Sequence, residues 1–178
     1  FLPAISSFYA GYIGKERFPA GDKNKIIGDR LPKGIPNMEA MNWLNSKESL
    51  FPYKYSLYSA GHANMDLSVT VPKEDMVRNR EADTIMLADS GGFQIATGVL
   101  KMDWANAKDP NDPARLALCK KILEWEEHTA DWAMTLDIPG FAAAPPYKER
   151  TGLESFQDTV DISVLNLHYF LQNRNPEK

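Results

Sequence analysis

The sequence predicts an α/β fold that carries a site on one rim of its sheet, and three observations lead there. A short apolar run, Thr84-Ile85-Met86-Leu87-Ala88, ends in Asp89 and two glycines. A second, Trp132-Ala133-Met134-Thr135-Leu136, ends in Asp137-Ile138-Pro139-Gly140. Between them Asp112-Pro113 opens a long helix, with Asp as cap and Pro in the first turn. Leu118, Cys119, Ile122, Leu123 and Trp125 form its apolar stripe, while Lys120, Lys121, Glu124, Glu126 and Glu127 are expected to face water. Short buried strands joined by a helical crossover lie parallel, which puts Asp89 and Asp137 on the same rim of neighbouring strands. Alternatively Asp137 only caps the Pro139-Gly140 turn, and spacing alone leaves the two readings even.

The other elements follow from the same signals. Leu2 to Phe8 reads as a first strand with a proline near its start, and Gly11 to Pro36 as a long irregular connection. Asn37 caps a helix whose Met38, Met41 and Leu44 share a face. Tyr55 to Ser59 reads as a strand, with His62 and Asn64 on its exit, and a short helical piece starts near Pro72. Lys101 to Asn111 is a loop, and Phe141 to Pro146 is another, placed to close over a pocket. Ser155 and Asp158 form a capping box for a last helix, down which Val160, Val164, Leu167 and Leu171 run as the expected buried face.

Composition is that of an ordinary globular chain, at 43% hydrophobic and 25% charged over 178 residues. The net charge of -4 excludes a chain that grips nucleic acid over its whole surface. The charge is nonetheless uneven, because Lys15, Arg17, Lys23, Lys25, Arg30 and Lys33 form a loose basic stretch in the first part. Such a stretch can face a phosphate backbone, but the default reading is a solvated loop. The single cysteine, Cys119, excludes an internal disulfide and a cysteine-based zinc site within these residues, and its place on a helical stripe reads as core. No apolar run is long enough to span a bilayer and no leader opens the chain, so no membrane partner and a cytoplasmic location are expected.

The chemistry is concentrated in Asp89-Ser90-Gly91-Gly92-Phe93-Gln94. The first four residues alone read as turn chemistry. In its setting after a buried strand, however, the hexapeptide places a carboxylate on the open rim, where α/β folds build their sites. The glycines let a ligand approach the main chain, Phe93 offers a flat apolar face, and Gln94 offers a paired donor and acceptor. Together these groups suit a flat heterocycle with polar edges.

This hexapeptide resembles the signature of the tRNA-guanine transglycosylase superfamily, enzymes of the queuosine and archaeosine type that exchange a guanine in a polynucleotide for a 7-deazaguanine base. The resemblance implies a (β/α)8 TIM-type barrel, of which this chain covers roughly the first half, since such barrels need about 250 residues. Residues 1–54 are then a divergent amino-terminal region, and residues 55–178 the strand-helix units that carry the motifs. It also implies a role for each matching residue. Asp89 acts as general acid/base or assists the leaving base. Ser90, Gly91 and Gly92 line the base pocket, Phe93 stacks the heterocycle, and Gln94 belongs to the same binding set. Asp137 reads the N1 and 2-amino edge of the base, for which a carboxylate with two acceptor oxygens is well suited. The family's nucleophilic aspartate and its structural zinc site have no counterpart in these residues, and no cofactor is expected in this chain.

The implied partners are nucleic acid, tRNA or DNA, and a guanine or 7-deazaguanine base, with a homodimer or heterodimer left open. Several tRNA-acting members have Glu-Cys after the second aspartate, whereas this chain has Ile138-Pro139-Gly140. That departure, with the unmatched first 51 residues, makes a DNA-acting relative from a phage or bacterial DNA-modification system credible. The expected activity is base exchange through a covalent intermediate, a pentosyltransferase reaction. The alternative is a non-catalytic partner or scaffold of the same superfamily that binds nucleic acid or base without exchange. A third reading, a barrel hydrolase using Ser90-Gly91-Gly92 for phosphate, predicts ester turnover without any base requirement.

Overall fold

The computed structural model describes residues 1–17 and 31–178. Of the basic stretch, Lys23, Lys25 and Arg30 lie outside the described residues, as do residues 18–30 of the expected long connection. Three strands form one parallel, open sheet in the order β1-β2-β3, where β1 is Tyr55–Ser59, β2 is Ile85–Asp89 and β3 is Trp132–Ala133. The described α-helices are α1 (Ser7–Arg17), α2 (Asp75–Arg78), α3 (Gly92–Thr97), α4 (Pro113–Thr129), α5 (Lys148–Thr151) and α6 (Phe156–Asn173). The chain divides into two compact units, one of Phe1–Tyr58 with Asp66–Leu87, the other of Ser59–Met65 with Ala88–Lys178.

In the first unit, α1 replaces the expected first strand, of which only one parallel bridge between Ala4 and Leu57 remains. Gly14 shows why helix wins here. A Cβ on it would stand 1.8 Å from the Pro72 carbonyl oxygen, so glycine lets α1 lie directly on the Pro72–Glu74 turn. Asn37 does cap, accepting from the Ala40 amide at 2.8 Å, but only a single 3-10 turn, Glu39–Met41, follows. The helical piece expected near Pro72 is present as that turn and α2. Glu74 is fully buried beneath it. Arg78 Nε donates to one of its oxygens at 2.9 Å, and the hydroxyl of buried Tyr58 donates to the other at 3.5 Å. Burial and the Glu74 charge push the Tyr58 phenol well above its ordinary value.

In the second unit, α4 starts as its sequence dictates. The Asp112 carboxylate accepts from the Arg115 amide at 2.8 Å, and Pro113 follows it. All five stripe residues, Leu118 to Trp125, are buried, and burial pushes the Cys119 thiol up to about 11, so it packs as a small apolar group. The capping box of Ser155 and Asp158 is present at the start of α6. The buried face of α6 differs from the expected one: it is Thr159, Ile162, Asn166 and Phe170, while Val164, Leu167 and Leu171 are exposed. Polar Thr159 and Asn166 can be buried because they are hydrogen-bonded, Thr159 Oγ1 donating to the Phe156 carbonyl and Asn166 Nδ2 to the Leu136 carbonyl. Arg115, also buried, donates from Nη1 to Asn166 Oδ1 at 3.0 Å and from Nη2 to the Pro110 carbonyl at 2.8 Å.

The expected half-barrel is corrected by this architecture, although the α/β class stands. Only β2-α4-β3 is a full crossover; the link from β1 to β2 carries short helical pieces, and α1 precedes all three strands. β3 has two residues where a strand of five was expected, and Trp132 to Thr135 are exposed. A sheet closes only when tilt and stagger continue from strand to strand, and an outer strand this short cannot carry that curvature onward. No helix among the described residues is long and apolar enough to cross a membrane.

Glu126 is the second correction. It was expected to face water, yet it is 2% exposed and neither carboxyl oxygen has a hydrogen-bond partner among the described residues. Burial, with the Asp89 and Glu127 charges, pushes it up to about 9. The unfolded chain releases that proton near pH ~4.3. The folded chain therefore holds one more proton between these values, and stability falls as pH rises through that window. Glu126→Gln carries no such proton and is expected to flatten the decline, which approaches about 1.4 kcal/mol per pH unit. Urea melts from pH 5 to 9 measure it. A variant whose stability falls as steeply as the parent's would place the pH dependence elsewhere.

Candidate functional site

Every residue of the candidate site belongs to the second unit. Asp89 is the last residue of β2, half-buried, and its carbonyl accepts from the Ala60 amide at 2.8 Å. Its Oδ2 accepts from the Gly91 amide at 3.3 Å, which sets the carboxylate against the loop that follows. Gly91 has φ +84°, the left-handed region, and a Cβ on it would lie 2.6 Å from the Gly61 amide nitrogen. A side chain is excluded there twice over, by conformation and by space. Ser90 is fully buried, and its hydroxyl has no partner among the described residues.

Gly92 opens α3, and it is the contact that brings Asp137 to the hexapeptide. A Cβ on Gly92 would stand 2.2 Å from the Asp137 carbonyl oxygen and 3.1 Å from its carboxylate Oδ1. The segment around Asp137 is fixed by α6 on both sides. Asn166 Nδ2 donates to the Leu136 carbonyl at 3.2 Å, and the Ile138 amide donates to Ser163 Oγ at 2.8 Å. The Asp137 side chain itself is exposed, so its oxygens stand available on the rim.

Phe93 projects from α3 with 59% of its surface exposed. Its ring meets that of Phe141 edge-on at 5.6 Å, and Phe141 meets Tyr147 at 5.0 Å, with the Arg150 guanidinium 5.7 Å from the Tyr147 ring centre. Such edge contacts hold a ring in orientation while leaving a face open. Phe141 lies on the 3-10 turn Gly140–Ala143, within the loop expected to close over a pocket.

Gln94 sits differently from the rest. It is buried, its Oε1 is 3.4 Å from the Ser59 hydroxyl, and its Nε2 is 3.1 Å from His62 Nε2. Its amide is engaged at both ends, bracing the β1 exit against α3. A Cβ on Gly61 would come within 2.6 Å of that side chain, so Gly61 is what admits it. His62 thus stands beside the hexapeptide, in contact with the Gln94 amide.

The structure therefore gathers Asp89, Ser90, Gly91, Gly92, Phe93 and Asp137 in one place and gives Gln94 a bracing position. Sequence reasoning did not find Phe141 and Tyr147 as companions of Phe93, nor Ser163 and Asn166 as anchors of the Asp137 segment. The only signal for the anchors was their polarity within a helix otherwise rich in apolar residues. No group of metal-binding side chains is assembled among the described residues. No protein-family model, curated protein or solved structure matches this chain.

Proposed function

We propose that this rim binds a guanine-type base displaced from a polynucleotide, tRNA or DNA, and exchanges it for a 7-deazaguanine. The observation that carries the reading is that one short segment presents an exposed aromatic ring, Phe93, and two carboxylates, its own Asp89 at the strand end and Asp137 packed against its Gly92. A base taken out of its stack regains part of the lost contact on Phe93. The Asp137 carboxylate accepts from the N1–H and 2-amino group, the two donors that distinguish guanine from adenine.

Asp89 moves the proton. As the bond from C1′ to the base nitrogen breaks, a carboxylate attacks C1′ and forms a glycosyl ester, and Asp89 delivers a proton to the departing base. The incoming base then gives its N9 proton to the Asp89 carboxylate and attacks C1′, which releases the attacking carboxylate. The resemblance puts that attacking aspartate outside these residues. A cytoplasmic location goes with this reading.

Asp137→Ala is expected to weaken guanine binding about 10- to 100-fold, the loss of a charge-assisted pair of hydrogen bonds. Because the side chain is exposed, the melting temperature should stay within about 2 °C. Calorimetric titration of guanine into both proteins reads the first quantity, and a thermal melt the second. Unchanged affinity would remove Asp137 from the base site.

A further inference from the structure

Two adjoining cavities, one of ≈ 530 Å³ and one of ≈ 390 Å³, lie in the second unit and share Trp104, Ala105 and Arg150 as lining. Each has the size of a small-ligand site. Their walls come from the segment that follows β2 and α3 and from α5 with the residues after it, which follow β3. Both segments thus extend from strand exits, the side on which α/β sheets bind ligands.

Arg150 ties this groove to Phe93. Phe93 meets Phe141, Phe141 meets Tyr147, and the Arg150 guanidinium stands 5.7 Å from the Tyr147 ring centre. On its other side it lies against Gly98, which ends α3: a Cβ there would come within 3.0 Å of Arg150 Nη1. α3 starts at Gly92 and is six residues long, about 9 Å of helix at 1.5 Å per residue. The guanidinium is therefore within reach of the sugar-phosphate unit next to a base lying on Phe93.

The groove's free chemistry names the ligand. Among the described residues Lys101 and Arg150 form no ion pair, whereas Lys108, the third cation on the walls, is paired with Asp158 at 3.0 Å. The carboxylates on the walls are Asp103, Asp109 and Glu149. Asp103 and Asp109 each commit an oxygen to their own loop, accepting from the amides of Ala105 at 3.0 Å and Asn111 at 2.8 Å. What remains is a guanidinium and an ammonium to meet a phosphate, and the half-buried Trp104 indole to meet a base. Cations interleaved with an aromatic ring are the chemistry of single-strand binding. We propose that this groove holds the nucleotide joined to the displaced guanosine, its phosphate on Arg150 and Lys101 and its base on Trp104. The inference rests on the base-exchange reading and extends that site from one base to a strand.

The test titrates guanosine, GpU and UpG, with their deoxy counterparts, into the full-length protein and follows the heat of binding. One of the dinucleotides is expected to bind at least about 50-fold tighter than its nucleoside, about tenfold from a charge-assisted phosphate contact and about fivefold from stacking. A neutral methylphosphonate linkage should remove the tenfold share, and an abasic neighbour the fivefold share. Arg150→Gln should make the phosphate and methylphosphonate dinucleotides bind alike, and Trp104→Ala should do the same for the base-bearing and abasic ones. Equal affinity of the nucleoside and both dinucleotides, a gain untouched by the methylphosphonate, or a phosphate preference that survives Arg150→Gln would overturn the groove and leave the base site standing. A protein that binds none of the probes would overturn both. Because the first comparisons lie in the ligands, the test does not depend on a variant folding.

Discussion

Asp89→Asn is expected to lower the rate of base exchange about 10²- to 10⁴-fold, the range that one general acid/base supplies. The substitution is nearly isosteric, and the asparagine side-chain oxygen can still accept from the Gly91 amide that now meets Asp89 Oδ2 at 3.3 Å. The loop geometry is therefore kept while the titratable proton is lost. Single-turnover transfer of labelled guanine separates the two effects: the rate constant should fall and guanine affinity should change little. A variant that exchanges at the parent's rate would take the proton-transfer role away from Asp89. One that loses affinity and rate together would make Asp89 a binding group instead.

Gly92→Ala is expected to be as damaging, for a different reason. The added Cβ would stand 2.2 Å from the Asp137 carbonyl oxygen, a backbone atom with no rotamer to change. The Asp137 segment cannot move aside freely, because the Leu136 carbonyl and Ile138 amide are both bonded to α6. Either α3 or the Asp137 loop must shift, at about 1–3 kcal/mol, as overpacking in a tight contact usually costs. For a chain of this size that lowers the melting temperature by roughly 2–12 °C. The same shift separates Phe93 from Asp137, so base binding should fall with it. Gly11→Ala is the control. Its Cβ would meet only the Lys73 Cβ at 3.7 Å, an ordinary contact, and replacing a helical glycine should be neutral or mildly stabilising. If Gly92→Ala melts and binds like the parent, the close packing of Asp137 on the hexapeptide does not hold in solution.

What the sequence made legible was local. Asp112-Pro113 and the Ser155-Asp158 box mark helix starts with hydrogen bonds made within a few residues, and both are where the residues put them. β1 has the bounds expected for it, and β2 begins one residue later than the apolar run, at Ile85. Strand order left the rim position of Asp137 even with a turn-capping role, and the hexapeptide beside it tipped the reading toward the rim. The illegible parts depend on distant partners. α1 was hidden by Gly11 and Gly14, which read as loop residues until Pro72 is seen to press on Gly14. The inner face of α6 was misjudged because Asn166 and Thr159 are buried by hydrogen bonds that no apolar pattern announces. Glu126 was assigned to water because charge is the usual guide, and its burial is set by the packing of α4 against its neighbours. The half-barrel came from resemblance rather than from residues, and the short β3 contradicts it.

The measurement that tests the central claim most directly is incorporation of radiolabelled guanine and a labelled 7-deazaguanine into tRNA and into duplex DNA by the full-length protein, side by side, with Asp89→Asn in parallel. The account predicts label in one of the two nucleic acids from the parent, and incorporation about 10²- to 10⁴-fold slower from the variant. Label in neither polymer, with a folded parent protein, would contradict it.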